Sequence, residues 1–152
     1  MPIEKISTPV VLNRKRVFIV NDNISKTDLA VKLVNAICDD LPGSDRDDIM
    51  NAVLKREQGI STTLDTGLSI PHARVEDLDA FQAAVAVLPK GITDDYGLQI
   101  KVMFLFLSPA GPAYFAQHLK MLALLAEKFN TPFIAGLCAA KNEEEILEQI
   151  SF

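Results

Sequence analysis

At 152 residues, 49% of them hydrophobic and 23% charged, the chain has the length and composition of one globular domain with a sizeable core. Its formal net charge of −5, with no Lys/Arg run longer than Arg14-Lys15-Arg16, excludes the basic stripe of a nucleic-acid binder. The apolar stretches are too short to span a bilayer and Met1-Pro2-Ile3-Glu4-Lys5 lacks a leader's apolar segment, so a cytoplasmic protein without direct membrane insertion is expected.

The whole of 1–152 reads as a single domain, with 1–15 peripheral and Arg14-Lys15-Arg16 an exposed edge before a strand. Val17-Phe18-Ile19-Val20 is that strand. Ser25 then caps a helix, and Asp28 completes a capping-box pattern ahead of Leu29, Leu33, Val34 and Ile37. Leu41-Pro42-Gly43 ends it. Ser44 is expected to open a second helix, with Asp47 three places on and Ile49, Val53 and Leu54 on its apolar side, running out near Gln58-Gly59. From Ile60 to His72 the pattern changes to short extended pieces broken by Gly67 and Pro71.

Ala83 to Leu88 and Ile100 to Leu107 are near-continuous apolar runs of strand length, the pattern of central strands covered on both faces. Pro89-Lys90-Gly91 and Thr93-Asp94-Asp95-Tyr96-Gly97 supply turns between them. A loop from Ser108 to Pro112 leads into a helix from about Ala113 to Phe129. Thr131-Pro132 opens another to about Ala140, and Asn142 caps a last one beginning Glu143-Glu144-Glu145. Helices and strands interleave, which predicts an α/β domain with a mixed β-sheet between layers of α-helices. Cys38 and Cys138 stand in apolar helical contexts without metal-type spacing and read as buried free thiols.

Three side chains are candidates for chemistry. His72, in Ser69-Ile70-Pro71-His72-Ala73-Arg74, follows a proline that fixes the backbone and precedes a small alanine that leaves room at the ring. Imidazole can be a neutral nucleophile near pH 7 and can carry a phosphoryl group. His118 sits early in a helix, at the end of a stripe continued by Leu122, Leu125 and Phe129, where it is expected at the solvent edge, able to donate to an anion. Arg56 ends the second helix, and a guanidinium grips phosphate oxygens bidentately. Each has a plainer account taken alone: a histidine satisfied by a backbone carbonyl, a histidine capping a buried face, a solvated helix-end cation. A metal site lacks a third ligand and a His-Glu-x-x-His motif, and no nucleotide-binding glycine loop occurs, so neither a metal nor another cofactor is expected.

Taken together, Arg56-Glu57 at a helix end, Ile70-Pro71-His72-Ala73 after a turn, a strand running from Val102 into the loop at Pro109, and His118-Leu119 with Leu122 form an ordered set. This set resembles the enzyme IIA domain of the mannitol/fructose type in the bacterial phosphoenolpyruvate-dependent sugar phosphotransferase system, a group that includes the nitrogen-regulatory IIA proteins. The resemblance covers about Val17 to Ile150. It implies that His72 accepts a phosphoryl group from a histidine-containing phosphocarrier protein and passes it to a cysteine of a IIB domain or signals with it. It further implies that His118 orients the transferring group and that Arg56 balances its charge.

The absence of a fused membrane or IIB segment favours a stand-alone regulatory protein over a subunit of a fructose- or mannitol-type transport system. The resemblance also marks a departure. A Gly-x-Gly-like turn is usual before the motif, and Asp65-Thr66-Gly67 stands here. Asp65 is expected to tolerate left-handed backbone, while its carboxylate would oppose a phosphoryl dianion, which admits a third reading as a phosphorylation-incompetent binding module. Tyr114 and Phe115 are candidates for apolar partner contacts. All of this requires the two imidazoles to face each other across an anion-sized hollow with the guanidinium close by.

Overall fold

The structure, a computed structural model, describes residues 7–59 and 62–150. Met1 to Lys5, which lack the apolar segment of a leader, and Ile60, the expected start of the extended pieces, lie outside those residues. Among the described residues, six strands and five α-helices make a mixed open sheet with helices on both faces. In chain order they are β1 (Val10–Val11), β2 (Val17–Ile19), α1 (Lys26–Asp39), α2 (Arg46–Gly59), β3 (Leu68–Ser69), β4 (His72–Val75), β5 (Phe81–Thr93), β6 (Gln99–Pro109), α3 (Phe115–Lys128), α4 (Thr131–Cys138) and α5 (Glu143–Gln149).

The centre is the antiparallel pair β5–β6, in register at Val85 with Phe104 and at Ala83 with Phe106. Two short strands follow one another along each outer edge, both parallel to their neighbour: β1 and β2 along β5, and β3 and β4 along β6. The continuous hydrophobicity of β5 and β6 has its cause in the pleat. Ala84, Ala86 and Leu88 of β5 with Met103, Leu105 and Leu107 of β6 face the side carrying α1 and α2. Phe81, Ala83, Val85, Val87, Val102, Phe104 and Phe106 face α3, α4 and α5. With both faces covered, no position from Ala83 to Leu88 or from Val102 to Leu107 alternates to polar.

Local signals and the structure differ at the start of the second helix, within β5 and along α3. The second helix is capped by Asp45, whose Oδ1 accepts from the Asp48 N–H at 3.1 Å; Ser44 instead donates its hydroxyl to the Leu41 carbonyl at 2.7 Å. At α1 Ser25 does cap, accepting from the Asp28 N–H at 3.0 Å. Pro89-Lys90-Gly91 is not a turn but part of β5, passed through by a register shift between Val87 and Ile92. A proline without an N–H and a glycine at φ +72 are the residues a bulge accommodates. The buried stripe of α3 runs through His118, Met121, Leu125 and Phe129, with Leu122 only half-buried beside it.

Of the Arg14-Lys15-Arg16 cluster, Arg14 and Lys15 are exposed as expected, and Arg16 is not. The cluster forms a short 3-10 helix that turns Arg16 inward, where it is 1% exposed. The Arg16 guanidinium meets the Asp40 carboxylate (Nε to Oδ2, 3.2 Å), donates to Gln82 Oε1 at 2.8 Å and reaches the Val11 carbonyl at 3.3 Å. The Asn13 amide and then Arg16 hold the Asp40 carboxyl below the usual carboxylate range. Arg16→Ala leaves the buried Gln82 oxygen unpaired and is expected to cost about 3 kcal/mol, read as a lowered urea midpoint at unchanged slope. Cys38 is buried and Cys138 half-buried; both thiols are free, and burial pushes both up. No helix among the described residues is long and apolar enough to cross a membrane.

Candidate functional site

His72 opens β4 directly after Pro71 and lies opposite Phe106 of β6 in the parallel ladder. That register places its ring on the Phe106 ring, with centroids 5.3 Å apart and planes 11° from parallel. The His72 Nδ1 lies 2.7 Å from the Ile70 carbonyl. A carbonyl only accepts, so Nδ1 carries the proton and Nε2 holds the free lone pair.

His118 comes from the first turn of α3, which the loop after β6 delivers to the same place. Its ring lies 5.4 Å from that of His72, tilted by 58°, and 5.6 Å from Phe106. Its Nδ1 is 2.7 Å from the hydroxyl of Ser108, a fully buried residue near the end of β6. The two histidines, 46 positions apart in sequence, are thus neighbours over one phenylalanine.

The rings are less open than expected from sequence. Each histidine is only 7% exposed, because Phe106 lies against both and each covers part of the other.

Electrostatics keep both rings neutral at pH 7. Burial is the first cause of the lowered His72 pKa, and the Arg56 charge adds to it, against the raising effects of the Ile70 carbonyl and Glu57. His118 is pushed down to about 4, by burial first, then by His72, Arg74 and Arg56. Arg56 itself is exposed on the last turn of α2, and its charge acts on both rings.

A depressed histidine pKa has a definite sign for stability. The unfolded chain binds the His118 proton from about pH 6.5 downward, while the folded one resists until about pH 4. The stability gained by keeping the ring neutral is therefore complete above that window and is lost as pH falls through it. Urea midpoints are expected to drop across this range, and His118→Asn is expected to flatten part of the slope.

Further residues that the sequence did not single out complete the site. Phe106 is the platform, hidden in the sequence as one of many apolar strand residues. Ser108 is the one clear missed signal: a hydroxyl directly after the apolar run that ends at Leu107. Arg74 is half-buried and clamps the loop entering α3, donating from Nη2 to the Gly111 carbonyl at 2.9 Å and the Pro109 carbonyl at 3.3 Å. Its guanidinium lies 5.3 Å from the Phe115 ring centroid.

The left-handed residue of the turn before the motif is Gly67, at φ +98, with Lys101 Cγ 3.3 Å from where a Cβ would stand. Asp65 does not take that conformation. It lines a cavity of about 560 Å³ with Thr66, Gly67, Lys101 and Cys138. Among the described residues no three His, Cys, Asp or Glu side chains are grouped as a metal would need.

A model of the family described as phosphoenolpyruvate-dependent sugar phosphotransferase system, EIIA 2, matches residues 10–152. The chain belongs to this family. The EIIA chain is also 26% identical over 113 residues to a nitrogen regulatory protein of Bradyrhizobium diazoefficiens (strain JCM 10833 / BCRC 13528 / IAM 13628 / NBRC 14792 / USDA 110), covering 73% of this chain and 72% of that one. Its fold is that of nitrogen regulatory protein IIA-Ntr from Neisseria meningitidis, with TM-score 0.78 at 20% identity, covering 91% of this chain and 95% of that one. It is also that of the mannitol enzyme IIA from Escherichia coli solved in complex with phosphorylated enzyme IIB, with TM-score 0.72 at 13% identity and coverages of 92% and 96%. At those identities the two structures speak for the fold alone.

Proposed function

We propose that this EIIA chain is a phosphoryl carrier with His72 as acceptor, His118 and Arg56 as its assistants, and regulation as its role. The observation that carries the reading is the fixed tautomer of His72 beside His118: Nδ1–H is bound to the Ile70 carbonyl at 2.7 Å, and the second imidazole stands 5.4 Å away. In the reaction the Nε2 lone pair attacks the phosphorus of a phosphohistidine on the donor, a histidine-containing phosphocarrier protein. The new N–P bond forms as the donor's N–P bond breaks, and the donor imidazole leaves with the electron pair. The phosphorylated His72 ring keeps its Nδ1 proton, and the Ile70 carbonyl stabilises the positive charge the ring acquires.

With Ser108 donating to His118 Nδ1, the His118 Nε2–H is left to donate to a phosphoryl oxygen, and Arg56 offsets the remaining charge. Such transfer depends on in-line placement and charge balance more than on covalent help from the protein. The neutrality of both rings fits these tasks, since a protonated His72 has no lone pair to offer.

The docking face for the protein partners surrounds the histidines. Phe115 is 51% and Leu119 50% exposed on the first turns of α3, an apolar pair around His118 that a partner would cover. Tyr114 is half-buried beside them. Acceptors are a IIB domain or regulatory target proteins, in the cytoplasm. The regulatory reading is favoured by the sequence relative described as a nitrogen regulatory protein. The test is incubation with enzyme I, the phosphocarrier protein and phosphoenolpyruvate, followed by intact mass. A gain of about 80 Da that acid removes is expected. No gain in the wild type would leave a binding module that does not carry phosphate. Donation from the phospho-form to isolated IIB domains then separates transport from regulation.

A further inference from the structure

We infer that Glu57 is a positioning residue for His72, holding the ring through Thr62 and the backbone of Ile70. The inference rests on the reading of His72 as phosphoryl acceptor. Glu57 lies on the last turn of α2, one residue after Arg56, and turns its side chain inward to 11% exposure. Its Oε1 accepts from the Thr62 hydroxyl at 2.8 Å, while Oε2 meets Lys26 Nζ of α1 at 2.8 Å. The Thr62 carbonyl accepts from the Ile70 N–H at 3.1 Å, and the Ile70 carbonyl receives the His72 Nδ1–H at 2.7 Å. Three hydrogen bonds thus connect a buried carboxylate to the ring.

The link to the ring runs through the peptide between Ile70 and Pro71. Pro71 brings a fixed φ, which ties the Ile70–Pro71 peptide plane to a proline whose own carbonyl accepts from the Phe106 N–H at 3.1 Å. The Ile70 carbonyl is thus held from both sides, and on the Ile70 side by the bond that the Ile70 N–H makes to the Thr62 carbonyl. Lys26 adds a second hold on the same segment by donating to the Thr63 hydroxyl at 3.4 Å, and Thr63 bridges to Ser69. Were Glu57 only a clamp between α1 and α2, the Lys26 pair alone would serve. The Thr62 bond is the part that leads to the ring. At metal centres, outer-shell groups that fix a ligating imidazole's tautomer and orientation commonly change function by about 10- to 100-fold when removed, and the same hold on a nucleophilic imidazole is taken to act at the lower end of that range.

The experiment is NMR of ring-labelled histidine in the full chain, with phosphoryl acceptance measured on the same samples and thermal melting recorded for each. In wild type the neutral His72 ring is expected in the Nδ1–H form. Thr62→Val and Glu57→Ala are expected to populate the Nε2–H form and to slow acceptance about 10-fold, with melting little changed in Thr62→Val and lowered in Glu57→Ala, which also unpairs Lys26. Thr62→Ser, which keeps the hydroxyl, is expected to restore both. A His72 ring unchanged in either Thr62→Val or Glu57→Ala, or changed without any slowing, overturns the inference, as does a loss that Thr62→Ser fails to restore. The tautomer is read on the free protein without a donor. A failure of the positioning role is thus distinguishable from a failure of His72 as acceptor, which would show as no phosphoryl gain in wild type.

Discussion

His72→Ala is expected to abolish the phosphoryl gain completely, while His118→Ala still gains it, about 100-fold more slowly. The asymmetry follows from the two rings' hydrogen bonds. Removing His72 removes the only nitrogen placed as the nucleophile; His118 has the wrong proton arrangement to replace it, because its proposed N–H points to the transferring group. Removing His118 leaves the attacking lone pair and the Ile70 carbonyl in place and deletes one donor to the developing charge. Intact-mass time courses on the three proteins decide the matter. Acceptance by His72→Ala would move the acceptor elsewhere, and an unslowed His118→Ala would reduce His118 to packing.

The second large effect is on stability. Phe106→Ala is expected to cost about 3–5 kcal/mol and to disorder the histidine pair. Phe106 is fully buried in the centre of the sheet. It stacks under His72, contacts His118 and meets Phe81 edge-on at 5.9 Å. Truncation opens a void on the face toward α3 and removes the surface on which both imidazoles rest. Phe106→Leu, which keeps much of the volume, should recover more of the folding free energy than of the transfer rate. Urea unfolding alongside transfer kinetics separates the two; equal recovery would show that the ring's shape has no part in seating the histidines.

Much of this molecule is legible along the chain. The two covered faces of β5 and β6 follow from apolar runs without alternation, and the caps at Ser25 and Asn142 from single side chains before periodic segments. Asn142 indeed accepts from the Glu145 N–H at 2.9 Å. His72 and Arg56 stand out because proline and a helix end frame them.

The less legible parts depend on three-dimensional register. Nothing local distinguishes Phe106 from Phe104, yet one faces the histidines and the other packs edge-on against Phe129. Arg16 reads as a surface cation because its partners, Asp40 and Gln82, lie 24 and 66 positions away. Pro89-Lys90-Gly91 has turn composition, and the pairing of Ile92 with Ile100 and of Thr93 with Gln99 keeps it within a strand. Asp65 is the odd residue of its turn, while the conformational demand falls on Gly67.

The edge of the sheet beside β6 is built from two short pieces, β3 and β4, and not one long strand. In an unbroken strand, carbonyls alternate between the neighbour and the outer side, and a side chain competes with that order for partners. The interruption at Ile70-Pro71 hands one carbonyl to an imidazole while the next, that of Pro71, rejoins the ladder by accepting from the Phe106 N–H at 3.1 Å. Loss of strand continuity over two residues thus gives a ring whose proton is assigned before any partner arrives. Any substitution that lets this edge zip closed would leave the ring to choose its own tautomer.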